Sequence, residues 1–157
     1  MPIKHSEELK EAATLVHEQV LELTSVDTHK VVNNVLLKYC GSEYNYPLWE
    51  NLDSYTGIIF PYPWKWFSEM LEKQKVLLFF EPNEGDISFQ INNGSVLSSI
   101  LENAYQFTFY LTNEESSFLL CCNDHDNLIA SGDAIAWLHS YVLRHHPGLK
   151  LYSHSVK

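Results

Sequence analysis

The sequence predicts a single α+β domain over residues 1–157, with a mostly antiparallel sheet of about five strands packed against N-terminal and C-terminal helices. Three observations lead there. Apolar residues recur at helical spacing from Ser6 to Thr24, they alternate with polar ones in Ile87–Ile91 and Phe107–Thr112, and short polar connections suited to hairpins join the later strands. The chain divides into a helical part (1–75), a sheet-rich part (76–131) and a closing helix (133–146), with no internal repeat and no low-complexity linker.

Leu9, Ala12, Ala13, Val16, Val20 and Leu23 form one face of the first helix, with Ser6 as its N-cap and Glu7 and Glu8 at the positive end of its dipole. A second helix begins near Asp27 or Thr28, carries Val31, Val32, Val35, Leu36 and Tyr39, and stops at Gly41. Ser42–Tyr62 is rich in aromatics, contains Pro47, Gly57 and Pro61, and lacks a sustained period; it reads as a packed connection with a helical turn around Trp49–Tyr55. Pro63 suits the first turn of a third helix through Trp64, Phe67, Met70 and Leu71.

The pattern then becomes extended. Val76–Phe80 is a continuous apolar run, hence a central strand, and Ile87–Ile91 is a half-exposed strand ending at Asn92-Asn93-Gly94. Ser95 caps a short helix with Leu97, Ile100, Leu101 and Ala104. Strands follow at Phe107–Thr112, Phe118–Cys122 and Leu128–Ala130, and Asp133 caps the last helix, which Pro147 and Gly148 end.

Composition narrows the function. Ten Lys and Arg against twenty Asp and Glu give a formal charge of −10, which argues against sequence-independent nucleic-acid binding. No apolar run approaches the roughly 18 residues of a membrane span, and the opening MPIKHSEELKEAATLVHEQV does not read as a secretory signal. Three cysteines, two of them adjacent, do not make a disulfide framework, so a cytoplasmic setting is expected. Six dispersed glycines exclude phosphate-cradling loops, and no G-x-S-x-G elbow exists; no cofactor is expected.

The most pointed constellation is Cys122-Asn123-Asp124-His125-Asp126. Cys122 and His125 have ligand-like spacing, but a structural zinc site needs a second pair, so no metal is expected. Asp126 orienting His125 would make an acid–base pair, and a small enzyme using Asp124, His125 and Asp126 is the alternative reading of the chain. An Asx-type turn is the structural reading of the same residues. His125-Asp126 is also the dyad of the metal phosphohydrolases, but that superfamily is all-helical and this dyad lies between two predicted strands. Carboxylates beside aromatics, notably Glu50 and Asp53 next to Trp49, suit a surface that steers a basic protein.

Tyr110, Phe118, Leu119, Cys121, Asn123, His125, Asp126, Leu128, Ile129 and Gly132 occur in the order found in the tail of a family of small uncharacterised bacterial domains, which this stretch resembles. Those domains are similar in size, charge and layout to the immunity proteins of bacterial toxin systems. The resemblance implies a cytoplasmic protein that occludes a basic toxin, such as a nuclease. Trp49, Glu50, Asp53, Asp124, His125 and Asp126 are the expected contact residues, and no residue is assigned a catalytic role.

Overall fold

The structure is a computed structural model that describes residues 2–41, 43–104 and 107–155. It is α+β, with one antiparallel sheet and five α-helices among the described residues. The chain runs α1 (Pro2–Leu15), β1 (Leu21–Glu22), α2 (Ser25–Tyr39), β2 (Ser54–Ile59), α3 (Phe67–Met70), β3 (Val76–Phe79), β4 (Ser88–Ile91), α4 (Leu97–Glu102), β5 (Phe109–Thr112), β6 (Phe118–Cys122), β7 (Asn127–Gly132), α5 (Ala134–His145) and β8 (Tyr152–Ser155). The sheet order is β1-β4-β3-β5-β6-β7-β2-β8, and every neighbouring pair is antiparallel.

Both faces of the sheet are covered, which explains why its central strands are apolar without interruption. Leu78, Phe109, Leu111, Phe118, Leu120, Leu128 and Ala130 join the cluster that contains Leu9 of α1, Phe67 of α3, Ile100 of α4 and Leu138 of α5. The intervening residues Phe79, Tyr110, Leu119, Cys121 and Ile129 face the opposite way, onto Val32, Val35, Leu36 and Tyr39 of α2. The period of two thus places Cys121 and Cys122 on opposite faces, each a small buried hydrophobe. No helix among the described residues is long and apolar enough to cross a membrane.

The sheet has eight strands, not about five, and the three additional ones explain the difference. The first helix ends at Leu15 instead of Thr24, because His17 turns to φ +59 and the Glu18 N–H closes back on the Ala13 carbonyl. That frees Leu21 and Glu22 to pair with Gln90 and Phe89 at the sheet edge. Ser54–Ile59 lies within the expected connection and is a strand between β7 and β8; the helical turn before it is a 3-10 turn at Leu48–Asn51. Exposed β8 follows the last helix and is paired to β2 through residues 54–57. Neither β2 nor β8 alternates, so neither carries a strand signature.

Three caps also differ. Ser6 lies inside α1 (Pro2–Leu15), not at its N-cap. Asn93, not Ser95, caps the turn before α4, accepting the Ser95 N–H at 3.0 Å. Asp133 precedes α5 in helical geometry and its side chain makes no capping bond. The third helix opens as the 3-10 turn Pro63–Trp66 and continues as α3.

Gly132 ends β7 at φ +63, where an added Cβ would sit 2.5 Å from the Tyr39 hydroxyl and 2.6 Å from the Ser117 carbonyl oxygen. Gly132→Ala should lose about 2–5 kcal/mol of stability, combining a left-handed penalty with overpacking against backbone. Gly148→Ala, with nothing within 4 Å of the new atom, should stay within about 0.5 kcal/mol. Urea denaturation of the two variants checks the pair; equal midpoints would contradict this packing.

Candidate acidic cleft and its buried carboxylate

One end of the sheet gathers the chemistry. The C-terminal end of β3, the chain entering β5 and the β6–β7 turn all meet there, because neighbouring strands run antiparallel. The turn is held by Asn123, which is buried, and whose Oδ1 accepts the N–H groups of His125 (2.9 Å) and Asn127 (3.2 Å). This is the Asx-type arrangement. It lifts Asp124 and His125 into solvent on the tip and turns Asp126 to φ +59.

A cleft of ≈ 440 Å³ opens beside this turn. It brings together Trp49, Glu50, Asp124 and His125, four residues expected from the sequence, with Tyr46, Glu81, Glu84 and His5. Among the described residues, its lining supplies four carboxylates and no lysine or arginine. Two histidines lie beside these carboxylates: His5 Nε2 is 3.6 Å from Glu84 Oε2, and His125 Nε2 is 3.4 Å from Asp124 Oδ1. His5 also stacks on Phe107, with centroids 4.9 Å apart.

The other two expected residues lie elsewhere. Asp53 is exposed just before β2, with its N–H bonded to the Tyr39 carbonyl, and does not line the cleft. Asp126 lines a separate, more apolar cavity on the far side of the turn, and its Oδ1 accepts the Tyr62 N–H at 3.3 Å. His125 is 82% exposed, with Nε2 3.4 Å from Asp124 Oδ1. Cys122 is buried against the helical core while His125 points outward, so the C-x-x-H spacing does not converge. Among the described residues, no three or more His, Cys, Asp or Glu side chains are arranged to hold a metal ion.

The floor of the cleft is Glu81, only 2% exposed. Three donors converge on its carboxylate: the Tyr44 hydroxyl (2.7 Å), the Leu48 N–H (3.1 Å) and the Tyr110 hydroxyl. The Tyr110 oxygen in turn accepts the Trp49 N–H at 3.1 Å. The network therefore fixes the 3-10 turn that carries Trp49 and Glu50 to the strands beneath it. Nothing in the sequence marked His5 for this place, or Glu81 for burial. The one available signal was an acidic residue directly following a fully apolar strand.

Burial, followed by the hydrogen bond and charge of Glu81, pushes the Tyr44 phenol upward. Burial, followed by the charges of Cys121 and Glu81, does the same for Tyr110. Tyr39 is raised to about 12, by burial and then by Asp133. A phenol raised above the roughly 10 of a free tyrosine contributes stability that is complete below that pH and lost as pH climbs through the folded value. Alkaline titration of phenolate absorbance should therefore show Tyr39, Tyr44 and Tyr110 ionising only as circular dichroism reports unfolding. A single reversible step near pH ~10 covering every tyrosine, with the fold intact, would contradict the network.

No family model matches the chain, and neither a curated protein nor a solved structure does. What the cleft can do therefore follows from its own geometry.

Proposed function

We propose that the chain is a cytoplasmic, immunity-type binding protein that neutralises a basic bacterial toxin, with nucleases the favoured class, by occluding it. The observation behind this reading is the grouping of Glu50, Glu81, Glu84 and Asp124 around one cleft, with no lysine or arginine among the described residues of its lining. A nuclease presents a cationic cleft to phosphates, and an occluding protein needs a complementary field. Clustered charge of one sign along a cleft focuses that field and raises the encounter rate of a cationic partner.

Aromatic residues supply the other half of an interface. Tyr46 is exposed on the cleft rim and Trp49 is half-buried beside it, with its backbone tied to Tyr110. Rigid aromatics at the centre of a polar rim are the usual carriers of binding energy. The tail resemblance to small bacterial domains of immunity-like layout agrees with this, and the three free thiols agree with a reducing compartment.

The test is association kinetics against a panel of basic bacterial nuclease domains at several salt concentrations. Glu50→Lys with Asp124→Lys should slow association with the recognised nuclease about tenfold or more and flatten its salt dependence. Glu72→Lys with Glu115→Lys changes net charge equally at the opposite end of the sheet and should stay within about twofold, since distant exposed charges are screened. Both variants should fold normally, because each exposed charge contributes under about 1 kcal/mol. Equal slowing by both pairs, or no binding across the panel, would contradict the proposal.

A further inference from the structure

All twenty carboxylate side chains of this chain lie before residue 134; the stretch from α5 through β8 carries Arg144 and Lys150 and no aspartate or glutamate. In a protein with a formal charge of −10, this is the part that another acidic surface can approach with least repulsion. Its last strand, β8, is also an open edge. One side of β8 pairs with residues 54–57 of β2. Antiparallel geometry turns the N–H and C=O groups of alternate residues to the other side, where no described strand lies.

The two edges of the sheet differ in kind. β1 is two residues long, and its Glu22 is paired with Lys10 at 2.6 Å, the short and charged form of edge that resists further pairing. β8 presents four exposed residues, Tyr-Ser-His-Ser, with no proline, lysine or carboxylate among them. The sheet face beside it is bare as well. Helix α2 covers this face as far as Ile129 of β7, and beyond it Ile59 is 68% exposed and Tyr152 37%. The Tyr55 ring packs there against Tyr152 edge-on (6.2 Å) and against His154 (5.4 Å).

We infer that β8 is a self-association edge: two copies of this chain pair their β8 strands antiparallel about a two-fold axis and join their sheets into one. Charge at the two ends of the strand fits that arrangement. Lys150 stands two residues before Tyr152, and Asp53 directly precedes Ser54, which lies opposite Ser155. Both are exposed, and neither is in an ion pair among the described residues. A two-fold antiparallel pairing sets the start of each β8 beside the end of the other, so Lys150 of one copy meets Asp53 of the second, twice per dimer. Asp53, which stands outside the acidic cleft, thereby acquires a place. No residue of β2 or β8 lines that cleft, so both copies present theirs.

The test measures the mass of the full chain by light scattering across a roughly hundredfold range of concentration, with hydrogen exchange of the β8 amides at both ends of that range. A dimer is expected, with exchange at residues 152–155 slowed at the high concentration. Lys150→Glu and Asp53→Lys, both at exposed positions, should keep the circular dichroism of the parent chain and each weaken the dimer about tenfold, because each opposes like charges across the axis. The double variant, which restores the pairs with their signs exchanged, should recover most of that loss. A monomer at every concentration would overturn the inference, as would a dimer whose β8 amides exchange equally at both concentrations. Folded single variants that dimerise like the parent, or a double variant no better than the singles, would overturn it too. Nuclease occlusion by a monomeric chain would count against this edge alone, and a β8-paired dimer that binds no nuclease would count against the occlusion reading alone.

Discussion

A carboxylate buried without a cation governs the architecture of this protein's acidic end. Glu81 has no ion-pair partner among the described residues, and taking such a group out of water costs several kcal/mol. Three hydrogen bonds to a charged acceptor, each contributing about 1.5–3 kcal/mol, are of the size needed to offset that. The donors come from Tyr44 and Leu48 in the connection after α2 and from Tyr110 in the central strand β5. Satisfying one carboxylate thus pins an otherwise irregular segment onto the sheet.

The consequences spread outward from that point. Because the Leu48–Asn51 turn is fastened at both Leu48 and Trp49, Glu50 is presented at a fixed place above the floor. The Asn123 side chain performs the matching task on the β6–β7 turn, presenting Asp124 to one side and Asp126 to the other. Negative charge is gathered at this end, while lysine and arginine meet carboxylates elsewhere, as in the Lys75–Glu114, Lys10–Glu22 and Arg144–Glu69 pairs. Among the described residues, no lysine or arginine pairs with the carboxylates of the cleft at this end, and a concentration of one sign of charge is what a cationic partner would sense.

Much of this was legible in the residues, and the reasons are specific. Val76–Phe79 and Phe118–Cys122 showed themselves through unbroken apolar runs, since helices cover both faces of the sheet. Helix α2 showed itself through its spacing and its stop near Gly41. Edge strands were hidden: Leu21–Glu22 and Tyr152–Ser155 are exposed and held by backbone pairing, which leaves no periodic trace. Glu81 was hidden for a different reason. Its burial depends on donors 29 to 37 positions away, and only the folded chain brings them together. Glu50 and Asp124, expected to act together from their charge and neighbours, line one cleft; Asp53 lies outside it before β2, and the turn geometry sends Asp126 to the cavity on the other side.

The most direct measurement is a double-mutant cycle between Glu81→Gln and Tyr110→Phe, with stability from urea denaturation and Trp49 emission as the local reporter. If the carboxylate organises the floor, the two changes should couple by about 1–3 kcal/mol, and each should alter Trp49 emission as its turn loosens. Additive effects with unchanged Trp49 emission would contradict the account, because the turn would then be held without the buried carboxylate.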